Sequence, residues 1–212
     1  MSAGPPTASA GRAARRAGWR GWVAAVLEYL LGFLSLSVFA AYALSRGNTP
    51  SDQFWIDAFR LAGPIALLEC LAMRGLPMPP NRLVLGANVW LMIGGAAAWL
   101  HWWELLQAYQ RIGEASLFMT MVLVGVLTLY GSKAGFVGAH GPAATVRRAS
   151  LVLLLAVLCA TAWAWVMRGH YGMSSVAPVI CLAWLNRALK FYVRRRAASE
   201  GSPALVAGPP HA

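Results

Sequence analysis

Six apolar runs, parted by short polar connectors, make up most of the chain. They cover about residues 22–44, 54–73, 83–103, 115–132, 150–167 and 174–192. Within each run the apolar residues are continuous rather than alternating. Each is close to the roughly 20 residues that a membrane-spanning helix needs, and about twice the length of a spanning strand. In hydrocarbon every backbone N–H and C=O must find its partner inside the segment, which leaves helices. The pattern therefore predicts an all-α polytopic integral membrane protein, a bundle of six transmembrane helices. The connectors Ser45–Pro50, Arg74–Asn81 and Gly138–Pro142 carry the Gly, Pro and Asn of turns. Residues 1–21, with Arg12, Arg15, Arg16 and Arg20 among Pro, Ala and Gly, read as a disordered basic tail, and 193–212 as a flexible one. The second run is the weakest, because Asp57, Arg60 and Glu69 interrupt it.

Composition strengthens the membrane reading. The 212 residues are 58% hydrophobic and 12% charged, with mean hydropathy +0.56. An ordinary soluble domain is about 45–50% apolar and about 25% charged, so a cytosolic globular enzyme is not expected. A net charge of +11 would suggest nucleic acid in a soluble protein. Here the cations sit between the apolar runs, where they set topology instead. With the N-terminus inside, thirteen Lys and Arg residues fall on the cytoplasmic side and three (Arg46, Arg111, Arg168) on the other. The expected location is the cell inner (plasma) membrane, multi-pass, with both termini cytoplasmic. The expected partners are the bilayer, anionic lipid headgroups at the cytoplasmic face and other membrane proteins, with no nucleic acid. A cleaved leader would suit the arginines and Ala41-Tyr-Ala43, but the first run is about 23 residues long and contains Glu28. That exceeds the usual 7–15 residue core of a signal peptide. The tryptophans fall near run ends, as in an interfacial belt.

Ionisable and amide residues inside spans are costly and need partners or a pathway. At about 1.5 Å per residue, Glu28, Glu69, Asn88, Asn186 and Arg187 fall at one inner depth. A buried pair of Glu28 or Glu69 with Arg187 is the favoured expectation. A polar site binding an anion through Arg187, or passing protons through a carboxylate, is the alternative. An outer layer holds Asp57, Arg60, His101, Glu104 and His170, with Glu114 and Arg168 nearby. Asp57 and Arg60 are spaced to pair on one helix face, as are His101 and Glu104. Helix-end capping is the expected role there. A metal or a haem held by His101 and His170 is the sharper alternative, but no cofactor is expected.

Cys70, Cys159 and Cys181 lie singly in three spans and read as buried small residues. Gly131-Ser-Lys-Ala-Gly-Phe-Val-Gly-Ala-His-Gly141 lacks the Gly-Lys-Ser/Thr and preceding strand of a phosphate loop. Gly131 and Gly135, and the Gly94-Gly-Ala-Ala-Ala98 run, are read as faces for close helix contact.

Pro77-Met-Pro-Pro80, Gly86, Trp90 and Gly95-Ala-Ala-Ala-Trp-Leu-His-Trp102 resemble the first loop and second helix of the tryptophan-rich sensory (translocator) proteins. Ala183-Trp-Leu-Asn186 is similar to the end of their last helix. The resemblance implies five helices, the second to sixth spans here, and porphyrin or sterol binding. The fourth span lacks that family's Trp-Ser and paired-Phe pattern and an extra helix precedes the block, so the chain is not placed in the family. With no nucleotide, triad or zinc signature, the expected role is a subunit, assembly partner or scaffold without chemistry of its own. The alternatives are a small transporter or ligand carrier using the inner layer, and a membrane enzyme or haem protein using the outer one.

Overall fold

The computed structural model describes residues 34–45, 52–74, 81–168, 170 and 172–200. Among these the secondary structure is helical throughout: α1 (Leu34–Ala43), α2 (Asp52–Arg74), α3 (Arg82–Trp99), α4 (Trp103–Ile112), α5 (Ala115–Gly131), α6 (Ala143–Val166) and α7 (Ala177–Glu200). A short π-helical turn, Gly172–Val176, leads into α7. Among the described residues three helices are long and apolar enough to cross a membrane: α3, α6 and the continuous stretch Met173–Glu200. Helices α4 and α5 meet at 100° and add a fourth if they form one bent span. Helix α2 has the length, 23 residues, but carries Asp57, Arg60 and Glu69 in its interior.

Helices adjacent in sequence pack against each other, except that α3 reaches past α4 to α5. Helix α3 is the centre. Along it 61% of the residues are buried, against 33% for α6 and 22% for the last span, which therefore form the outside of the bundle. Small residues let α2 and α3 meet: a Cβ built on Gly95 would lie 2.9 Å from the Gly63 Cα. Around that crossing Phe39 of α1 and Phe59 of α2 each pack edge to face with Trp90 of α3 and tilt against one another, and Trp90 stacks on Tyr109 of α4 at 6.0 Å.

The sequence boundaries need four corrections. Helix α4 was expected to be the tail of the third span and a loop. It is an amphipathic helix of ten residues, because Gly113 at φ 65° ends it and turns the chain into α5. Helix α6 begins at Ala143, seven residues before the expected start, since Arg147 and Arg148 extend the helix rather than interrupt it. Helix α7 continues to Glu200 through the expected tail, and Val193 there is fully buried. The glycine-rich connector is neither loose nor a helix face. Ala134–Ala139 is buried, with Phe136 pushed back against Gly125 of α5 and Val137 packed with Val146 and Val193. Gly131 has open space around it, whereas Gly135 adopts φ 58° directly over the Ser150 hydroxyl.

Those contacts gather the cations at one end of the bundle. Arg82 Nη2 donates to Ser132 Oγ at 3.1 Å, joining the start of α3 to the end of α5. Asn186 Nδ2 donates to Asn81 Oδ1 at 3.0 Å, bringing α7 alongside. Arg74, Lys133, Arg147, Arg148 and Arg194–Arg196 lie at this same end.

Candidate functional site

The inner polar layer resolves into two separate groups. Glu69 on α2, 3% exposed, meets Ser35 of α1 and Asn88 of α3, both wholly buried. The Ser35 backbone N–H donates to Glu69 Oε1 at 2.9 Å, and Ser35 Oγ lies 2.9 Å from both Glu69 Oε2 and Asn88 Oδ1. Asn88 Nδ2 closes the ring to Glu69 Oε2 at 3.0 Å. Cys70, the next residue, lies with its side chain within hydrogen-bonding reach of Asn88. Three helices are thereby joined by side chains that would otherwise face hydrocarbon unpaired.

Asn186 belongs to the second group. Its amide bonds to Asn81, whose side chain also caps α3 by accepting from Leu83 N at 3.2 Å. The Asn186 Oδ1 is buried without a partner among the described residues, as is Arg82 Nε. A crevice of about 20 Å³, room for about one water, lies nearby between Leu36, Asn81, Met121 and Leu182.

Arg187 joins neither group. It is exposed on the outer side of α7, and among the described residues no ion pair links it to Glu69, so the favoured Glu69–Arg187 pair is replaced by the Ser35–Glu69–Asn88 ring. Consecutive helical residues point about 100° apart, and on α7 that turn buries Asn186 and leaves Arg187 exposed. Glu28 lies outside the described residues.

At the opposite end Asp57 and Arg60 form an ion pair at 3.2 Å, each about one-third exposed. Arg60 Nε also donates to the Ala98 carbonyl at 3.3 Å, one of the acceptors left over at the end of α3. His101 and Glu104 do not share a helix face, because α3 stops at Trp99 and His101 sits in the following turn at φ 57°. His101, Glu104 and His170 are all exposed, and among the described residues no three metal-binding side chains cluster. Glu114 is buried at the start of α5, and Arg168 stacks 3.6 Å from the Trp165 ring centroid while donating to the Arg111 carbonyl. Cys159 and Cys181, expected inside, face outward on α6 and α7, while Cys70 is half-buried.

Sequence reasoning missed the hydroxyls. Ser35, Ser116 and Ser150 each accept or donate a buried interhelical or loop bond: Trp90 Nε1 donates to Ser116 Oγ at 2.9 Å, and Val137 N to Ser150 Oγ at 3.2 Å. Serine is common in apolar runs and carries no signal of its own, and counted from the end of its run Ser35 does not fall at the depth of Glu69. No family model, curated protein or solved structure matches this chain.

Proposed function

We propose that this is a multi-pass inner-membrane protein of six spans, both termini cytoplasmic, that serves as a subunit or assembly partner in a membrane process. The single observation that carries this reading is the use made of the polar groups. Glu69, Asn88, Asn186, Arg60 and Trp90 each spend hydrogen bonds on a neighbouring helix, the arrangement that fixes helices against one another in lipid. The basic end of the bundle supports a cytoplasmic face on anionic lipid, and the outward sides of α6 and α7 offer apolar surface to lipid or to a partner helix.

Sizing the protein from native membranes in mild detergent tests the proposal. A subunit migrates with a second polypeptide at fixed stoichiometry; a chain that migrates alone or with copies of itself counts against it. Reporters fused after Glu200 and inside residues 45–52 should light up on opposite sides of the membrane. A second reading, a small transporter or carrier, is supported by Glu69, a buried carboxyl that pairs with no cation among the described residues. Glu69→Gln separates the two readings: it leaves an assembly intact and silences a carrier.

A further inference from the structure

The hydrogen count around Glu69 does not balance for an ionised carboxylate. Ser35 Oγ touches two oxygens, Glu69 Oε2 and Asn88 Oδ1, each at 2.9 Å, yet its hydroxyl has one hydrogen to give. Turning the Asn88 amide over moves the shortfall without removing it: Nδ2 then serves Ser35, and Oδ1 faces Glu69 Oε2 with no hydrogen between them. In either orientation one more hydrogen completes the ring, and the carboxyl is the group able to supply it. We infer that Glu69 is a proton-binding site, whose carboxyl carries a hydrogen in this packing and whose deprotonation loosens α1 from α2 and α3.

The completed ring runs in one direction. Glu69 Oε2–H donates to Ser35 Oγ, Ser35 Oγ–H to Asn88 Oδ1, and Asn88 Nδ2–H to Glu69 Oε2, while the Ser35 backbone N–H holds Oε1. Every polar atom has a partner and the ring has no net charge, the condition under which a polar network is tolerated in low dielectric. Release of the proton to water leaves an anion 3% exposed and the ring one hydrogen short. An unpaired buried charge is far more costly than a neutral group.

The neighbours agree with a neutral acid. From α2 the titratable and charged groups nearby are Cys70, against Asn88, and Arg74, exposed at the helix end. From α3 the nearest is Arg82, committed to Ser132. Helix α1 contributes no titratable side chain in the turn around Ser35. Among the described residues none of these cations is bonded to the carboxyl.

The inference is independent of whether the protein is a subunit or a carrier. Because the ring needs that hydrogen, its contribution to stability is present only while the carboxyl is neutral. Infrared difference spectra of wild type minus Glu69→Gln, in membranes at neutral pH, should show the carbonyl stretch of a neutral carboxylic acid that shifts in heavy water. The wild-type thermal midpoint should fall as pH is raised, and that of Glu69→Gln should stay level, since an amide can replace the acid once Asn88 turns over. Ser35→Ala is a second handle that leaves the carboxyl in place; the acid band should move to higher frequency as the acid loses its acceptor. An ionised carboxylate band in the difference spectrum, an unmoved acid band in Ser35→Ala, or identical pH profiles for wild type and Glu69→Gln would each overturn the inference.

Discussion

The Trp99 indole N–H donates to the Arg60 carbonyl at 3.3 Å. That carbonyl needs it. Residue 64 is proline, so α2 lacks the N–H that would bond to residue 60. Arg60 returns the favour by donating Nε–H to Ala98 O, making a two-way clasp between α2 and the end of α3. Trp99→Phe keeps most of the ring and loses the donor, and should cost about 1 kcal/mol, read as a lower thermal midpoint. In a Pro64→Ala background the helix N–H is restored to Arg60, and the same Trp99→Phe change should cost much less. Equal costs in the two backgrounds would show that the indole does not serve this carbonyl.

Gly95 and Gly131 make a matched pair of opposite sign. Both are helical glycines in apolar runs, but a Cβ at Gly95 meets the Gly63 backbone at 2.9 Å while one at Gly131 meets nothing within 4 Å among the described residues. Backbone cannot step aside as a flexible side chain can, so Gly95→Ala should destabilise by about 1–3 kcal/mol. Gly131→Ala should be neutral or should stabilise by up to about 1 kcal/mol through helix propensity. Thermal midpoints of the two variants in one detergent check both signs.

Ser150 holds the folded connector between α5 and α6. Its hydroxyl accepts from the Val137 N–H in a fully buried setting. Ser150→Ala leaves that N–H unpaired, at a cost of about 1–3 kcal/mol. The loss should appear first as faster protease cleavage within residues 132–142, ahead of any change in helix content. Cleavage at the wild-type rate would mean that Phe136 alone pins the segment.

Hydropathy made the helices legible and left their facing directions hidden. The long apolar runs mark α3, α5, α6 and α7 because lipid tolerates little else there. Helix α4 escaped because Trp103–Ile112 is short and mixed, and its helical character depends on the turn at Gly113 and on Leu106 packing inward. Depth could be counted in residues from a run's end, which is why Glu69 and Asn88 came out at one level. Rotation about the axis could not, and depth alone puts Arg187 inside whereas α7 turns it outward. An i, i+3 pairing of His101 with Glu104 needs a continuous helix, whereas the left-handed turn at His101 sets the two apart.

Tyr109, on the short amphipathic helix α4, carries a pH signature. Burial under Trp90 and Phe59 pushes its phenol up to about 12 from the ordinary 10.0. Its stabilising contribution is therefore full below about pH 10 and is lost as pH rises toward 12. Phenolate absorbance should show Tyr109 among the last tyrosines to ionise in the folded protein, and Tyr109→Phe should remove that late step. A wild-type titration that is already complete near pH 10 would mean that α2 and α3 do not cover the ring.

Glu69 and Arg187 provide the sharpest contrast. Glu69→Leu removes the acceptor of the Ser35 N–H and breaks the ring with Asn88. Each buried polar group left without a partner costs about 1–3 kcal/mol, so the loss should reach several kcal/mol and lower the yield from membranes. Arg187→Leu removes an exposed side chain with no carboxylate beside it among the described residues, and should change stability by about 0.5 kcal/mol or less. Were the two residues an ion pair, either substitution would strand the other's charge in hydrocarbon and both variants would fail alike. Thermal midpoints and yields measured side by side decide it: a large loss for Glu69→Leu alone fits the Ser35–Glu69–Asn88 ring, and matched losses would place Arg187 against the carboxyl.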